Sequence, residues 1–181
     1  FPYWSPPDYR FPDQNEVRER ISDQSTLYPA DTFWQYSNLG LTLAGEIVAA
    51  VSGLSYSEYV TKNIIEPLGL ESTRPFFPDD LHGTDLAIGH SARDRNGDRQ
   101  VVPCFDTKAI SPAAGFTSSV RDLASFASWQ FRLLAGGPTE VLSASTLREM
   151  HRVHWIDPDW RTSWGLGFFA ERHGTSTLVG H

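Results

Sequence analysis

Cysteine is almost missing from this sequence. Cys104 stands alone among 181 residues, so no intrachain disulfide and no cysteine-built zinc site can form. Lysine is nearly as scarce, with only Lys62 and Lys108. Long apolar runs are lacking too. The most hydrophobic stretch, 39–54, is broken by Thr42, Glu46 and Ser52. It falls short of the roughly 20 residues a membrane-spanning helix needs, so no stretch can cross a bilayer as a helix. Positive charge is in deficit, 15 basic against 22 acidic side chains for a net charge of −7, which argues against a surface that tracks nucleic-acid phosphates. No internal repeat or low-complexity tract is present. What the chain does hold is 40% hydrophobic and 13% aromatic residues with 20% charged, the composition of a packed domain and not of a disordered tail.

Local signals place the elements. The first thirty residues are rich in proline and aromatics, with Pro2, Pro6, Pro7 and Pro12, and predict an irregular surface crossing. Within it Asp13, with Glu16 three residues on, predicts a short helix carrying Val17 and Ile21. After Asn38 the apolar positions Leu39, Leu43, Ile47 and Val51 recur at four, giving a helix capped by Ser37 or Asn38 and stopped by Gly53. Ser55 and Glu58 open the next helix, which Pro67 and Gly69 end. Asn96-Gly97 suggests a hairpin or long ordered loop between 87–88 and 101–102. Residues 111–116, Ser-Pro-Ala-Ala-Gly-Phe, form a tight turn of small residues. A further helix starts at Ser118 or Ser119, has Asp122 in its first turn and stops at Gly136-Gly137-Pro138. A shorter one carries Leu147 and Met150. Residues 164–170 and 175–179 predict two strands joined around His173-Gly174. A hairpin alone is marginal in water, so the chain is expected to be an incomplete domain, part of a longer polypeptide.

The trio Tyr36-Ser37-Asn38 carries the clearest chemical signal. In an extended segment residues two apart face the same side, so the Tyr36 phenol and the Asn38 amide are expected to meet one cleft, held by the helix that follows. A phenol shuttles protons only if a cation lowers its pKa from about 10. The residues alone also allow an ordinary helix cap beside an aromatic. His151 and His154, with Asp157 and Asp159 nearby, are expected to be a solvated helix end and not a metal site. Trp129, Trp155, Trp160 and Trp164 are expected in the core, with a ligand-stacking wall as the alternative. The charges at Arg93, Asp94, Arg95, Asp98 and Arg99 read as a solvated turn.

Taken together, residues 28–40 (Tyr-Pro-Ala-Asp-Thr-Phe-Trp-Gln-Tyr-Ser-Asn-Leu-Gly), Gly45-Glu46, Val51-Ser52-Gly53 and Glu66-Pro67-Leu68-Gly69-Leu70 resemble the serine β-lactamase/penicillin-binding family. Residues 111–118 with Asp122-Leu123, the stretch 164–168 and Gly180-His181 continue the resemblance in order, closest to the class C-like branch with its esterases and D-amino-acid peptidases. The resemblance implies an α+β fold, the helical subdomain of the β-lactamase/transpeptidase-like fold plus a partial antiparallel sheet. On that basis residues 1–181 are part of a single domain, mainly helix and loop over 1–160, with the start of the C-terminal sheet over 161–181.

The resemblance further implies acyl transfer through a serine of a Ser-x-x-Lys motif, on esters, amides, β-lactams or D-amino-acid peptides, with no metal and no cofactor. By position Tyr36 would relay a proton to the leaving group and Asn38 would bind the acyl amide. His181 would line the opposite wall, in a Gly-His-x-Gly strand that replaces Lys-Thr-Gly. A histidine of ordinary pKa, near 6.5, is mostly neutral at pH 7, which disfavours penicillins relative to esters or peptides. Trp34 and Phe116, close to matching motifs, are expected to line the cleft. The sequence departs from the family in one large respect. Tyr59 and Phe105 stand three residues before the two lysines, so these 181 residues hold no Ser-x-x-Lys. The alternative is therefore a truncated or degenerate, inactive relative that binds penicillins or peptides. Expected partners are a small ester, amide or peptide, with no nucleic acid and no membrane, and a complementary chain or segment supplying further strands and the nucleophile. Family members are often periplasmic or secreted; the residues themselves assign no compartment.

Overall fold

The computed structural model describes residues 9–181; Pro2, Pro6 and Pro7, on which the expected irregular opening partly rested, lie outside the described residues. Helix α1 spans Gln14–Ile21, and its start is the expected reciprocal cap: the Asp13 carboxylate accepts from Glu16 N and the Glu16 carboxylate from Asp13 N. Helix α2 spans Asn38–Ser52, with Ser37 Oγ accepting from Gly40 N and Gly53 in the left-handed region at φ 72°. Glycine adopts that conformation without the steric cost a Cβ imposes, which makes the stop sharp.

Helix α3 (Tyr56–Val60) opens on a second reciprocal cap between Ser55 and Glu58. It runs on through a wider π-type turn, Thr61–Ile65, into α4 (Glu66–Leu68), which Gly69 closes. No single helix among the described residues is long and apolar enough to cross a membrane, and α2 meets the next helical segment at a 78° bend. The Asn96-Gly97 region is a long hairpin-like loop, with the His90–Val101 bridge and hydrogen bonds from Ser91 N to Gln100 O and from Val102 N to Gly89 O. At its tip the Asp94 carboxylate accepts from the Asn96 and Asp98 amides.

Residues 111–114, expected as a turn, form one α-helical turn instead, α5 (Ser111–Ala114), with Pro112 in its first positions, where a missing N–H is no loss. Helix α5 lies so close on α2 that a Cβ at Gly45 would sit 2.3 Å from Pro112 Cγ. Helix α6 spans Val120–Leu134 with Ser119 as its cap, and α7 spans Ala144–His151. One apolar cluster gathers Val60, Ile65 and Leu70; a second gathers Trp129, Leu133 and Leu147, and Phe126 and Leu68 touch both.

Buried Asp122 links distant segments. Its Oδ2 accepts from Ser72 N at 2.8 Å and from Thr73 Oγ1 at 2.7 Å. In Asp122→Ala the Ser72 amide loses this partner, while Thr73 Oγ1 keeps Ser118 Oγ at 2.8 Å. A buried donor left unpaired costs more than an average hydrogen bond is worth, so unfolding in urea should show a loss of about 1–3 kcal/mol.

The sheet is an antiparallel meander in the order β1-β2-β3-β4: β1 (Trp155–Ile156), β2 (Thr162–Trp164), β3 (Phe169–His173) and β4 (Ser176–Gly180). The expected sheet start at 161 is late, because β1 begins at Trp155. The strand expected over 164–170 is split: Trp164 ends β2, residues 165–168 turn, and β3 starts at Phe169. Strand β4 lies at the sheet edge with Leu178 and Val179 about half exposed. Of the four tryptophans expected in the core, Trp129 is fully buried and Trp155 and Trp164 are half-buried. Trp160 is 77% exposed, in a turn where its φ is 62°.

Candidate active site

A cleft of about 560 Å³ opens between the start of α2 and the end of the sheet. One wall is 34–37 with Gly40 and Leu41 of α2; the other is Trp164, the 165–168 turn, Phe169 and His181. Among the described residues no Lys, Arg, Asp or Glu side chain lines it. The Ser37 cap fixes the α2 wall, and Tyr36, immediately before it, is 57% exposed at the cleft. The same segment, 35–37 with Gly40, also borders a second opening toward Tyr28 and Phe33, so Tyr36 stands on a ridge between two clefts.

The opposite wall is built by strand register. Trp164 pairs with Phe169 and Phe169 with Gly180, which places the ends of β2, β3 and β4 side by side. His181 Nδ1 lies 3.0 Å from Gly167 O. When Nδ1 carries the proton it donates to that carbonyl, and Nε2 remains an acceptor. Trp164 donates from Nε1 to Asp157 Oδ1 at 2.9 Å and stacks on Trp34 with ring centroids 4.0 Å apart. That stack joins the two walls.

Trp34, Tyr36 and His181 line one cleft. Asn38 does not line it. Ser37 is extended (φ −146°, ψ 106°), but Asn38 is already the first residue of α2, so the strand period that would have pointed it with Tyr36 stops at the cap. Its Oδ1 is buried and accepts no hydrogen bond among the described residues. Phe116 corrects a second expectation. It lines a different depression, with Phe77, Val102, Cys104 and Phe105, because the turn through α5 carries it away from the start of α2. Sequence reasoning did not single out Phe168 and Phe169 as site residues; their only signal was the aromatic pair beside Gly165 and Gly167.

His151, at the end of α7, packs edge-on against Phe168 with ring centroids 4.7 Å apart, and its Nε2 is buried without a partner among the described residues. Burial pushes its pKa below the ordinary histidine value. Because the folded value lies below the unfolded one, the neutral ring's stability is fully present above about pH 6.5 and is lost as pH falls toward the folded value. Urea midpoints at pH 8 and pH 5 should therefore differ more in the parent than in His151→Gln. Equal differences would remove His151 as the cause. Among the described residues no three His, Cys, Asp or Glu side chains gather to hold a metal ion.

The model of the family described as Beta-lactamase matches residues 1–181. The chain belongs to the β-lactamase family. It is 27% identical over 161 residues to Beta-lactamase-like protein 2 of Dictyostelium discoideum, covering 89% of the chain and 28% of that protein. The octameric penicillin-binding protein homologue from Pyrococcus abyssi superposes with a TM-score of 0.75 at 28% identity, over 91% of this chain and 37% of that one. A D-stereospecific amidohydrolase from a Streptomyces species superposes with a TM-score of 0.67 at 27% identity, over 85% of this chain and 44% of that one. This β-lactamase-family chain thus spans less than half the length of each, and its helices with an antiparallel four-stranded sheet are the family's fold.

Proposed function

We propose that this chain forms two walls of the active site of a serine hydrolase that cleaves esters, amides, β-lactams or D-amino-acid peptides through a covalent acyl-enzyme. The observation that carries the reading is the cleft in which the exposed Tyr36 phenol faces the wall ending in His181. A serine of a Ser-x-x-Lys segment outside these 181 residues attacks the substrate carbonyl, and the bond to the leaving group breaks. Tyr36 passes the serine's proton to that leaving group, and water then releases the acyl group as the acid. No lysine or arginine lines the cleft among the described residues, so the cation that makes the phenol a proton relay comes with the serine as the motif's lysine.

Mass measurement after incubation with a chromogenic ester tests it. A polypeptide joining this chain to a Ser-x-x-Lys segment should gain one acyl group, and release of the chromophore should show a burst; no adduct and no burst would overturn the proposal. A second reading is a peptide- or penicillin-binding relative without turnover. That reading predicts saturable binding with no covalent mass change in the joined polypeptide.

A further inference from the structure

The segment that carries Tyr36 has few holds of its own. Residues 33–36 form no helix or strand, and among the described residues none of them makes a backbone hydrogen bond. The ends are fixed, by Thr32 Oγ1 donating to Pro29 O at 2.7 Å and by the Ser37 cap of α2. Phe33 packs on Tyr28 within the same loop, which adds no link to the sheet. The stack of Trp34 on Trp164, at an interplanar angle of 24°, is what ties the segment to the opposite wall.

Trp164 is held far more firmly. It pairs in the sheet with Trp155 and Phe169, and its carbonyl accepts from His154 N. The Phe169 ring meets it near edge-on at 5.9 Å. Its indole rotation is set by one further bond, Nε1 donating to Asp157 Oδ1 at 2.9 Å. Asp157 is itself pinned in the β1–β2 turn, its N donating to Thr162 O at 3.0 Å and its O accepting from Trp160 N at 2.9 Å. Among the described residues no Lys, Arg or His pairs with this carboxylate, which leaves the indole as its partner. A charged acceptor makes the stronger kind of hydrogen bond, and a ring stack depends on the angle and offset of both rings.

We propose that Asp157 is a positioning residue for Tyr36. Its carboxylate fixes the Trp164 indole, the indole holds Trp34, and Trp34 holds the segment that presents the phenol. The catalytic meaning of this clasp rests on the acyl-transfer reading above; the clasp itself does not.

The test uses the polypeptide joined to a Ser-x-x-Lys segment and two readouts. One is ester hydrolysis, split into kcat and KM. The other is the far-ultraviolet circular-dichroism couplet of the stacked indoles, assigned as the signal that Trp34→Phe removes. Asp157→Ala should abolish most of that couplet and lower kcat about tenfold to a hundredfold, with KM within about twofold, because a displaced phenol fails in the transition state. Asp157→Asn, which keeps an oxygen for the indole N–H, should retain the couplet and stay within about threefold of the parent kcat. Asp159→Ala removes an equal charge from the same turn, where Asp159 contacts Arg161, and should match the parent in both readouts. In a Trp164→Phe background, where no indole N–H remains, Asp157→Ala should cost less than about twofold.

A couplet that survives in Asp157→Ala overturns the clasp, whether or not the polypeptide turns over. Asp157→Asn losing as much kcat as Asp157→Ala, or Asp157→Ala costing its full factor without the indole, overturns the positioning role. Loss of the couplet with kcat unchanged does the same and leaves the acyl-transfer reading intact. A parent that forms no acyl adduct removes that reading instead, and the couplet still decides the clasp.

Discussion

Tyr36→Phe is expected to lower ester hydrolysis by the polypeptide joined to a Ser-x-x-Lys segment by about 10²–10³-fold, with KM nearly unchanged. The reasoning is local. Phenylalanine fills the space of tyrosine, and the side chain is 57% exposed at the cleft, so the Ser37 cap and the α2 wall have no cause to move. What is removed is one hydroxyl that would accept the serine's proton and return it to the leaving group. That service is rendered in the transition state and not in the bound ground state, which is why kcat should carry the loss. A Tyr36→Phe enzyme that turns over as fast as the parent would take the phenol out of the reaction. A joint loss of activity and of stability in urea would instead show that the substitution had moved the wall.

The elements legible in the sequence are those whose causes lie within one turn of chain. Asp13 with Glu16, Ser55 with Glu58, Ser37 and Ser119 each cap a helix where expected, because a cap is a bond between neighbours three residues apart. The position of Tyr36 just before the α2 cap was legible for the same reason. Contacts between remote segments were not. The Trp34–Trp164 stack, and the Asp122 carboxylate under Ser72 and Thr73, join residues that no periodicity relates. Strands β1 and β2 hold two and three residues, too few for an alternating pattern to register. Asn38 failed for a sharper reason. The rule that residues two apart share a face holds only while the backbone stays extended, and it turns helical at Asn38 itself. Phe116 failed because nearness to a motif along the chain is not nearness to the cleft.

Gly165→Ala is the substitution expected to damage the site most from outside the chemistry. A Cβ at Gly165 would lie 2.1 Å from the carbonyl oxygen of Met150 and 3.2 Å from that of Arg152, so the obstacle is backbone, which no rotamer change can clear. The 165–168 turn is strapped to the end of α7 at this place, through Leu166 N to Met150 O at 2.8 Å and His154 N to Trp164 O at 2.8 Å. Making room for a methyl group means lifting the turn and stretching those bonds. The same turn carries Phe168 and the Gly167 carbonyl on which His181 rests, and Trp164 stands at its entrance, so the whole sheet-side wall moves with it. Overpacking of this kind costs about 1–3 kcal/mol, and the lost hydrogen bonds bring the expected total to about 2–4 kcal/mol. A wall displaced by roughly 1 Å should also cost about a hundredfold in turnover. Gly89→Ala is the control, since its Cβ would stand 3.8 Å from Val102 Cβ, an ordinary contact away from this cleft. Denaturant unfolding and ester hydrolysis of the two variants decide the matter: if Gly165→Ala behaves like Gly89→Ala in both, the strap to α7 does not hold the wall.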